Sequence, residues 1–216
     1  MIRLVCVLLG YVFGLFQTAY FYGKFKGIDI RTKGSGNAGT TNTLRVLGTK
    51  AGIIVLIGDI LKTAAAIALT RAVIIPGREE MEYLLVIYTA AGAILGHNYP
   101  FYMQFKGGKG IAATAGLLFS FHPLTAITGV VVFLSIFNIT HYVSLGSLTV
   151  YLVFFFQLIF MGQTSVLGVI DQSLLNEMYL ITFLLMAMAF WKHRENIVRL
   201  VKKEERKTYL FKKNKI

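Results

Sequence analysis

Two polar, glycine-containing stretches of the chain have the composition of phosphate-binding loops. The first is GSGNAGTTNTLR, Gly34 to Arg45. Its glycines allow positive φ, so successive backbone N–H groups can converge on an anion. The alternative is a solvent-exposed loop that caps a helix beginning near Thr40 or Thr41. The density of donors favours anion binding, and the residues expected to take part are Ser35, Gly36, Asn37, Thr41, Asn42 and Arg45.

The second stretch is GHNYPFYMQFKGGKG, Gly96 to Gly110, and an apolar segment follows it at Ile111. Glycines before a helix expose backbone N–H groups where the helix dipole is positive, which favours phosphate. The spacing does not match a Walker A loop, so an ATPase is excluded. The alternative is a flexible turn with membrane-anchoring lysines. The predicted substrate-binding residues are His97, Lys106, Gly107, Gly108, Lys109 and Gly110.

Two shorter polar groups supply candidate catalytic side chains. In WKHRENIVR, a continuing helix would place His193, Asn196 and Arg199 at i, i+3 and i+6, roughly on one face. A histidine at a helix end is often only a favourable partner for the helix dipole. In HYVSLGS, Ser144 is either a donor to a ligand or a helix cap. We interpret His193, Asn196, Ser144 and Ser35 as candidate catalytic residues, and Arg199 as a substrate-binding residue.

The chain offers few ligands for a metal ion or a cofactor. Its ten acidic residues are scattered, and its one cysteine, Cys6, lies in an apolar run. We therefore predict no metal and no cofactor, which favours acyl transfer aided by oriented donors over metal-dependent phosphoryl transfer. Asp59 and Lys62 lie at i and i+3 in an apolar segment, where they are expected to pair. Structural support is the favoured role for that pair, and a proton or ion path is the alternative.

The elements that position these residues are predicted to be membrane helices. The chain is 56% hydrophobic and 15% charged, which is typical of an integral membrane protein. Its net charge of +12 fits anionic lipid headgroups better than nucleic acid. The segment after Arg3 continues without a cleavage site, so it is a retained span. We predict an all-α polytopic bundle of seven spans, at Ile2–Tyr22, Ala51–Ile75, Tyr83–Pro100, Ile111–Phe121, Leu124–Ile139, Leu145–Met161 and Glu177–Trp191.

The distribution of basic residues predicts the orientation of this bundle. Of the 22 Lys and Arg residues, 18 fall in alternate loops and after the last span. Cytoplasmic loops are rich in Lys and Arg, so the N-terminus is expected outside and the C-terminus in the cytoplasm. All four polar groups then face the cytoplasm. Residues 1–201 form one predicted membrane domain, and residues 202–216 form a basic tail, expected to be solvated near anionic headgroups.

The chain resembles the bacterial acyl-phosphate:glycerol-3-phosphate acyltransferase family. The resemblance covers nearly the whole chain and is carried by SGNxGxTN with LR at Ser35–Arg45, by GHNYP and FKGGKG, by SLG at Ser144–Gly146, and by HxxNxxR at His193–Arg199. It implies seven spans, an outside N-terminus, an acyl phosphate donor, and lysophosphatidic acid and inorganic phosphate as products. It also implies a bacterial inner-membrane enzyme of phospholipid synthesis.

The residues and the resemblance together suggest a mechanism, direct attack of the glycerol hydroxyl on the acyl carbonyl. One glycine-rich loop would hold each phosphate, and Ser144 and Asn196 would polarise the carbonyl. His193 would orient or deprotonate the hydroxyl, with the substrate's own phosphate as the alternative base. Which loop holds which phosphate stays open, as does the oligomeric state. The alternative function is a transporter of an organic phosphate or another anion, which would predict inverted repeats and a site at the membrane midplane.

Overall fold

The computed structural model describes residues 1–168 and 171–209 of the protein, and in this part of the chain the regular structure is entirely helical. Long apolar segments must satisfy their backbone polar groups internally when water is absent, and helices do this within one segment. The α-helices are α1 (Ile2–Gly14), α2 (Thr18–Phe25), α3 (Thr40–Leu47), α4 (Thr49–Leu69, extended by a π-helical turn at Thr70–Ile74), α5 (Glu82–Asn98), α6 (Ile111–Phe121), α7 (Pro123–Thr140), α8 (Val143–Gln163), α9 (Gln172–Lys192) and α10 (Arg194–Val201).

Among the described residues, five helical segments are long and apolar enough to cross a membrane: Ile2–Phe25, Thr49–Ile74, Pro123–Thr140, Val143–Gln163 and Gln172–Lys192. Each overlaps a predicted span. The two remaining predicted spans are also helical, but they are shorter, with 17 residues in α5 and 11 in α6. The prediction of an all-helical membrane protein is therefore supported, whereas seven crossings and the orientation of the termini stay predictions.

The first predicted span is not one continuous helix, because the chain breaks between α1 and α2. The side-chain amide of Gln17 fills the break and donates to the carbonyl oxygens of Gly14, Gly96 and His97, at 3.1, 3.2 and 3.1 Å. The ammonium of Lys62 donates to the carbonyl of Phe16 at 2.8 Å. A buried break needs such partners, since its carbonyls have lost their helical donors.

Two pairs of glycines let α1 and α5 pack backbone against backbone. A Cβ on Gly10 would lie 1.9 Å from the carbonyl oxygen of Thr89, and a Cβ on Gly92 would lie 2.0 Å from that of Val7. Each glycine is followed by another four residues later, Gly14 and Gly96, which are packed just as closely. Small residues at this spacing are typical of membrane helix pairs, because they allow close approach. This packing fixes the end of α5 that leads into the second glycine-rich loop.

The described part of the predicted tail is not solvated along its whole length. Residues 202–209 fold back on the helices, and within them Glu205 and Thr208 are buried, with 9% and 2% exposure. The N–H of Thr208 donates to the carbonyl of His141 at 2.9 Å, which ties the segment to the turn between α7 and α8. Residues 210–216 of the predicted tail lie outside the described residues.

Candidate active site

The predicted site residues come together around one cavity of about 750 Å³. Its walls include the 34–45 segment, the loop before α6, the start of α8, the α9–α10 junction and the C-terminal segment 205–208. Of the 16 predicted residues, only Gly108 is not in the cavity wall. The 15 that line it are Ser35, Gly36, Asn37, Thr41, Asn42, Arg45, His97, Lys106, Gly107, Lys109, Gly110, Ser144, His193, Asn196 and Arg199.

The first loop is shaped by Asn42, which is 1% exposed. Its amide nitrogen donates to the carbonyls of Ile30 and Lys33 at 3.1 and 3.0 Å, and its oxygen accepts the N–H of Ser35 at 2.8 Å. Gly36 has the positive φ expected of a turning loop, +72°. A helix does begin at Thr40, as the capping alternative predicted, but its N-cap residue is Gly39 and no side chain caps it. Asn42 thus holds the loop in shape, while Ser35 is exposed at its surface.

Arg45 reaches from α3 to the C-terminal segment. Its Nη2 donates to the carbonyl of Arg206 at 3.0 Å and to the hydroxyl of Thr208 at 2.8 Å. Its Nε is buried and has no partner among the described residues. Burial lowers the pKa of Arg45 from its ordinary value. A buried donor without a partner is costly, and an anion in the cavity would satisfy it.

The second loop differs from the predicted anion nest in one respect. The N–H groups of Gly107 and Gly108 donate to the carbonyls of Asn98 and His97, at 3.2 and 3.0 Å. A Cβ on Gly107 would lie 2.1 Å from the carbonyl oxygen of His97, and one on Gly108 would lie 2.0 Å from its Nε2. These two glycines therefore serve close packing, and their N–H groups are already occupied.

Gly110 retains the expected position for an anion site. It has φ +85°, it directly precedes α6, and no side chain caps that helix. The first N–H groups of a helix without a side-chain cap can donate hydrogen bonds to a bound anion. Of the three glycines, Gly110 therefore fits the predicted binding role best.

Lys109 supplies a partly buried positive charge next to Asn196, whose side-chain oxygen accepts a hydrogen bond from the lysine ammonium. Burial, assisted by the nearby charge of Arg199, lowers the pKa of Lys109 to about 8. The lysine therefore remains mostly cationic at neutral pH. An anion bound beside it would favour the charged form.

His193 ends α9 and is 3% exposed. Its Nδ1 lies 2.8 Å from the carbonyl of Ala189, which can only accept, so Nδ1 carries the proton and Nε2 is an acceptor. Burial, followed by the charge of Lys109, lowers the pKa of His193 to about 4. A neutral imidazole with a free Nε2 can accept a hydrogen bond or a proton from a hydroxyl.

Sequence reasoning missed Glu205, which connects three of the predicted residues. Its Oε1 accepts from Ser144 Oγ at 2.9 Å and from Asn196 Nδ2 at 2.6 Å, and its Oε2 accepts from Arg199 Nε at 2.8 Å. Burial alone would raise the pKa of Glu205, but these hydrogen bonds outweigh it and lower the pKa. The only signal in the sequence is a carboxylate six residues after Arg199, within a run of lysines.

These contacts change the predicted roles of Ser144 and Asn196. The Ser144 hydroxyl already donates a hydrogen bond to Glu205. Its oxygen can therefore accept a hydrogen bond from a substrate but cannot donate one. Asn196 donates one side-chain N–H to Glu205, and its side-chain oxygen accepts a hydrogen bond from Lys109. The arrangement suits recognition of a hydroxyl better than the predicted polarisation of a carbonyl.

One wall of the cavity is apolar. Side chains of α4, α6 and α7 line it, and they are Ile53, Leu56, Ile111, Phe133, Leu134 and Phe137. A cavity with charged donors at one end and an apolar wall can hold a molecule with a phosphate and an alkyl chain. Among the described residues, no three His, Cys, Asp or Glu side chains are grouped as a metal site requires.

Comparisons with known proteins agree with this chemistry. The sequence profile of the family described as glycerol-3-phosphate acyltransferase matches residues 4–203. Curated glycerol-3-phosphate acyltransferases include those of Bacillus velezensis, 35% identical over 98% of this chain and 100% of the relative, and Bacillus subtilis, 36% identical over 96% and 98%. The fold matches the crystal structure of PlsY (YgiH), an integral membrane glycerol 3-phosphate acyltransferase, in its glycerol 3-phosphate form, with a TM-score of 0.80, 31% identity and coverage of 97% and 99%. The match to the lysophosphatidic acid form has a TM-score of 0.79 and 30% identity, and it covers 96% of each chain. The chain therefore belongs to the glycerol-3-phosphate acyltransferase family.

Proposed function

We propose that this protein transfers a fatty acyl group from an acyl phosphate to the first hydroxyl of glycerol 3-phosphate, giving lysophosphatidic acid and inorganic phosphate. One observation carries the proposal: Arg45, Lys109 and Arg199 share a cavity with an apolar wall. The cations suit phosphate groups, and the wall suits an acyl chain. The related PlsY structures are described as glycerol 3-phosphate and lysophosphatidic acid forms, a substrate and the product of such a reaction.

The chemistry is a single displacement at an activated carbonyl. The glycerol oxygen forms a bond to the acyl carbon, the bond from that carbon to the phosphate oxygen breaks, and phosphate leaves with the electron pair. A mixed anhydride is already activated, so neither an enzymic nucleophile nor a metal ion is required. Holding both reactants in one cavity supplies proximity, which can contribute several kcal/mol, on the order of 7 to 11 in favourable cases.

His193 is the proposed acceptor of the hydroxyl proton. Its pKa is lowered to about 4, so the ring is neutral at neutral pH, and Nε2 has no hydrogen-bond partner among the described residues. With a pKa of about 4, the imidazolium formed would be more acidic than the departing phosphate in its protonated form, and it would pass the proton to that phosphate. Ser144, oriented by its donation to Glu205, would accept a hydrogen bond from a glycerol hydroxyl.

The membrane placement belongs to the same proposal. We place the protein in the bacterial inner membrane with seven spans, the N-terminus outside and the cavity open to the cytoplasm. The concentration of Lys and Arg in the loops around the cavity supports this orientation. Water-soluble glycerol 3-phosphate would then enter from the cytoplasm, while the acyl chain remains next to the bilayer.

The test is an acyl-transfer assay with purified protein reconstituted in lipid. Palmitoyl phosphate and glycerol 3-phosphate are supplied, and lysophosphatidic acid is measured, with palmitoyl-CoA as the donor in a parallel sample. We expect product only from the acyl phosphate. Product from palmitoyl-CoA alone would refute the proposed donor, and no product from either would refute the proposed reaction.

A matched pair of arginine variants tests the cavity itself. Arg45→Gln should raise KM for a phosphorylated substrate by roughly 10- to 100-fold, the cost of losing charged hydrogen bonds. Arg78 follows the π-helical turn at the other end of α4, and among the described residues its side chain donates to the nearby carbonyls of Ile74 and Pro76, so Arg78→Gln should leave the kinetics unchanged. Equal kinetics of the two variants would exclude Arg45 from the site.

A further inference from the structure

A group of buried ionisable side chains has no role in the proposed chemistry, although two of its members, Asp59 and His97, line the cavity. Asp59 and Lys62 of α4 form an ion pair at 2.9 Å, and His97 of α5 lies 3.7 Å from the same carboxylate oxygen. Their exposures are 1%, 6% and 3%. The hydroxyl of Thr18 donates to that oxygen at 3.0 Å. Ionisable groups buried in a membrane protein are expensive and are retained where they have a function.

Lys62 joins three separate segments through one ammonium group. It donates to His97 Nδ1 at 2.9 Å and to the carbonyl of Phe16, at the break between α1 and α2, at 2.8 Å, in addition to its contact with Asp59. Since an ammonium can only donate, Nδ1 of His97 is an acceptor and Nε2 carries the proton. The ion pair therefore determines both the tautomer and the orientation of the His97 ring.

His97 in turn shapes the loop that carries Lys109. Its carbonyl accepts the N–H of Gly108 at 3.0 Å, and its ring covers the face of Gly108, where an added Cβ would lie 2.0 Å from Nε2. Lys109 is the next residue, and its ammonium enters the cavity beside Asn196. A continuous set of contacts thus leads from the ion pair to the cation in the site.

We propose that Asp59 and Lys62 are positioning residues, which act through His97 to hold the 105–110 loop and so place the ammonium of Lys109 in the cavity. For catalysis this rests on the proposed function, but the effect on the loop does not. The ion pair is a rigid anchor for the loop, because both charges are buried and Lys62 pairs with Oδ1 of Asp59, while Oδ2 has no hydrogen-bond partner among the described residues. A loop carried by a fixed ring can present its lysine with little loss of entropy on binding.

The experiment compares Asp59→Asn, Lys62→Met and the double variant with wild type. The readouts are the melting temperature, the KM for glycerol 3-phosphate, and hydrogen exchange of a peptide covering residues 105–110. Each single variant leaves one buried charge or polar group without its partner and lowers the melting temperature, whereas the double variant removes both charges and restores much of it. Because the double variant still lacks the donor to His97, we expect fast exchange in this peptide and a KM raised by roughly 10- to 100-fold.

The control is an ion pair at the other end of the same two helices. Arg71, in the turn that extends α4, contacts Glu82 of α5 at 2.8 Å, far along both helices from the loop. Glu82→Gln should leave the exchange of residues 105–110 and the KM unchanged. A double variant with wild-type exchange and wild-type KM would overturn the proposal, as would Glu82→Gln with the same effects as the double variant.

Failure of this proposal and failure of the proposed function give different results. If the wild-type protein shows no acyl transfer but the double variant loses protection in residues 105–110, the loop anchor stands and the function is wrong. If acyl transfer is observed and protection in the double variant is retained, the function stands and the anchor is wrong.

Discussion

Gly108→Ala tests whether the second loop depends on close packing against His97. The added Cβ would lie 2.0 Å from His97 Nε2, about 1.4 Å inside ordinary contact distance. The imidazole cannot yield freely, because Lys62 holds its other nitrogen at 2.9 Å. The loop must therefore move by about 1 Å, which would displace Lys109. A misplacement of this size can cost on the order of 100-fold in kcat/KM, and overpacking about 1–3 kcal/mol in stability.

The assay is phosphate release from palmitoyl phosphate with varied glycerol 3-phosphate, together with thermal unfolding. A double-mutant cycle identifies the cause: in a His97→Ala background the ring is absent, so Gly108→Ala should add little further loss. Gly129→Ala is the control, since its Cβ would meet only a terminal methyl of Leu118, which can rotate away. Equal losses from Gly108→Ala with and without the His97 ring would refute the packing argument.

Three further predictions concern charge and packing. Because the pKa of Lys109 is lowered to about 8, its charge is present below that pH and lost above it, so kcat/KM should fall above about pH 8, and Lys109→Arg should remove this alkaline limb. Glu205→Gln should lower kcat and the melting temperature. Its cost in folding free energy should be less than the roughly 3–5 kcal/mol of breaking a fully buried pair, because Arg199 is 36% exposed. Glu204→Gln, at the exposed neighbouring position, should match wild type. Gly92→Ala should separate α1 from α5 and cost about 1–3 kcal/mol, measured by thermal unfolding, and an unchanged melting temperature would contradict the backbone contact.

Helix positions were predictable because the length of each apolar segment can be counted directly in the sequence. Each of the five long apolar helical segments overlaps a predicted span, and the short segment at Ile111–Phe121 has the predicted bounds. The break at Gln17 was not predicted, because one amide in an apolar run does not interrupt the pattern. The break is stabilised by hydrogen bonds from Gln17 to carbonyls of α5, which are about 80 residues distant in sequence.

The composition of the site was more predictable than its internal contacts. Residue types suited to phosphate binding or to catalysis identified 15 lining residues of the cavity. The partners of Gly107 and Gly108 could not be predicted, since a glycine that offers its N–H to an anion and one that allows packing look the same in sequence. Glu205 was missed because the return of the tail to Ser144 is a tertiary contact between residues 61 positions apart in sequence.

The central claim, direct acyl transfer between two phosphorylated substrates in one cavity, is tested most directly by product stoichiometry. Purified protein in lipid, with a chelator present, is given palmitoyl phosphate, and phosphate and lysophosphatidic acid are followed in the same sample before and after addition of glycerol 3-phosphate. We predict no release of phosphate before the addition, and equal amounts of the two products after it. Phosphate released without glycerol 3-phosphate, or the absence of lysophosphatidic acid after it is added, would contradict the account.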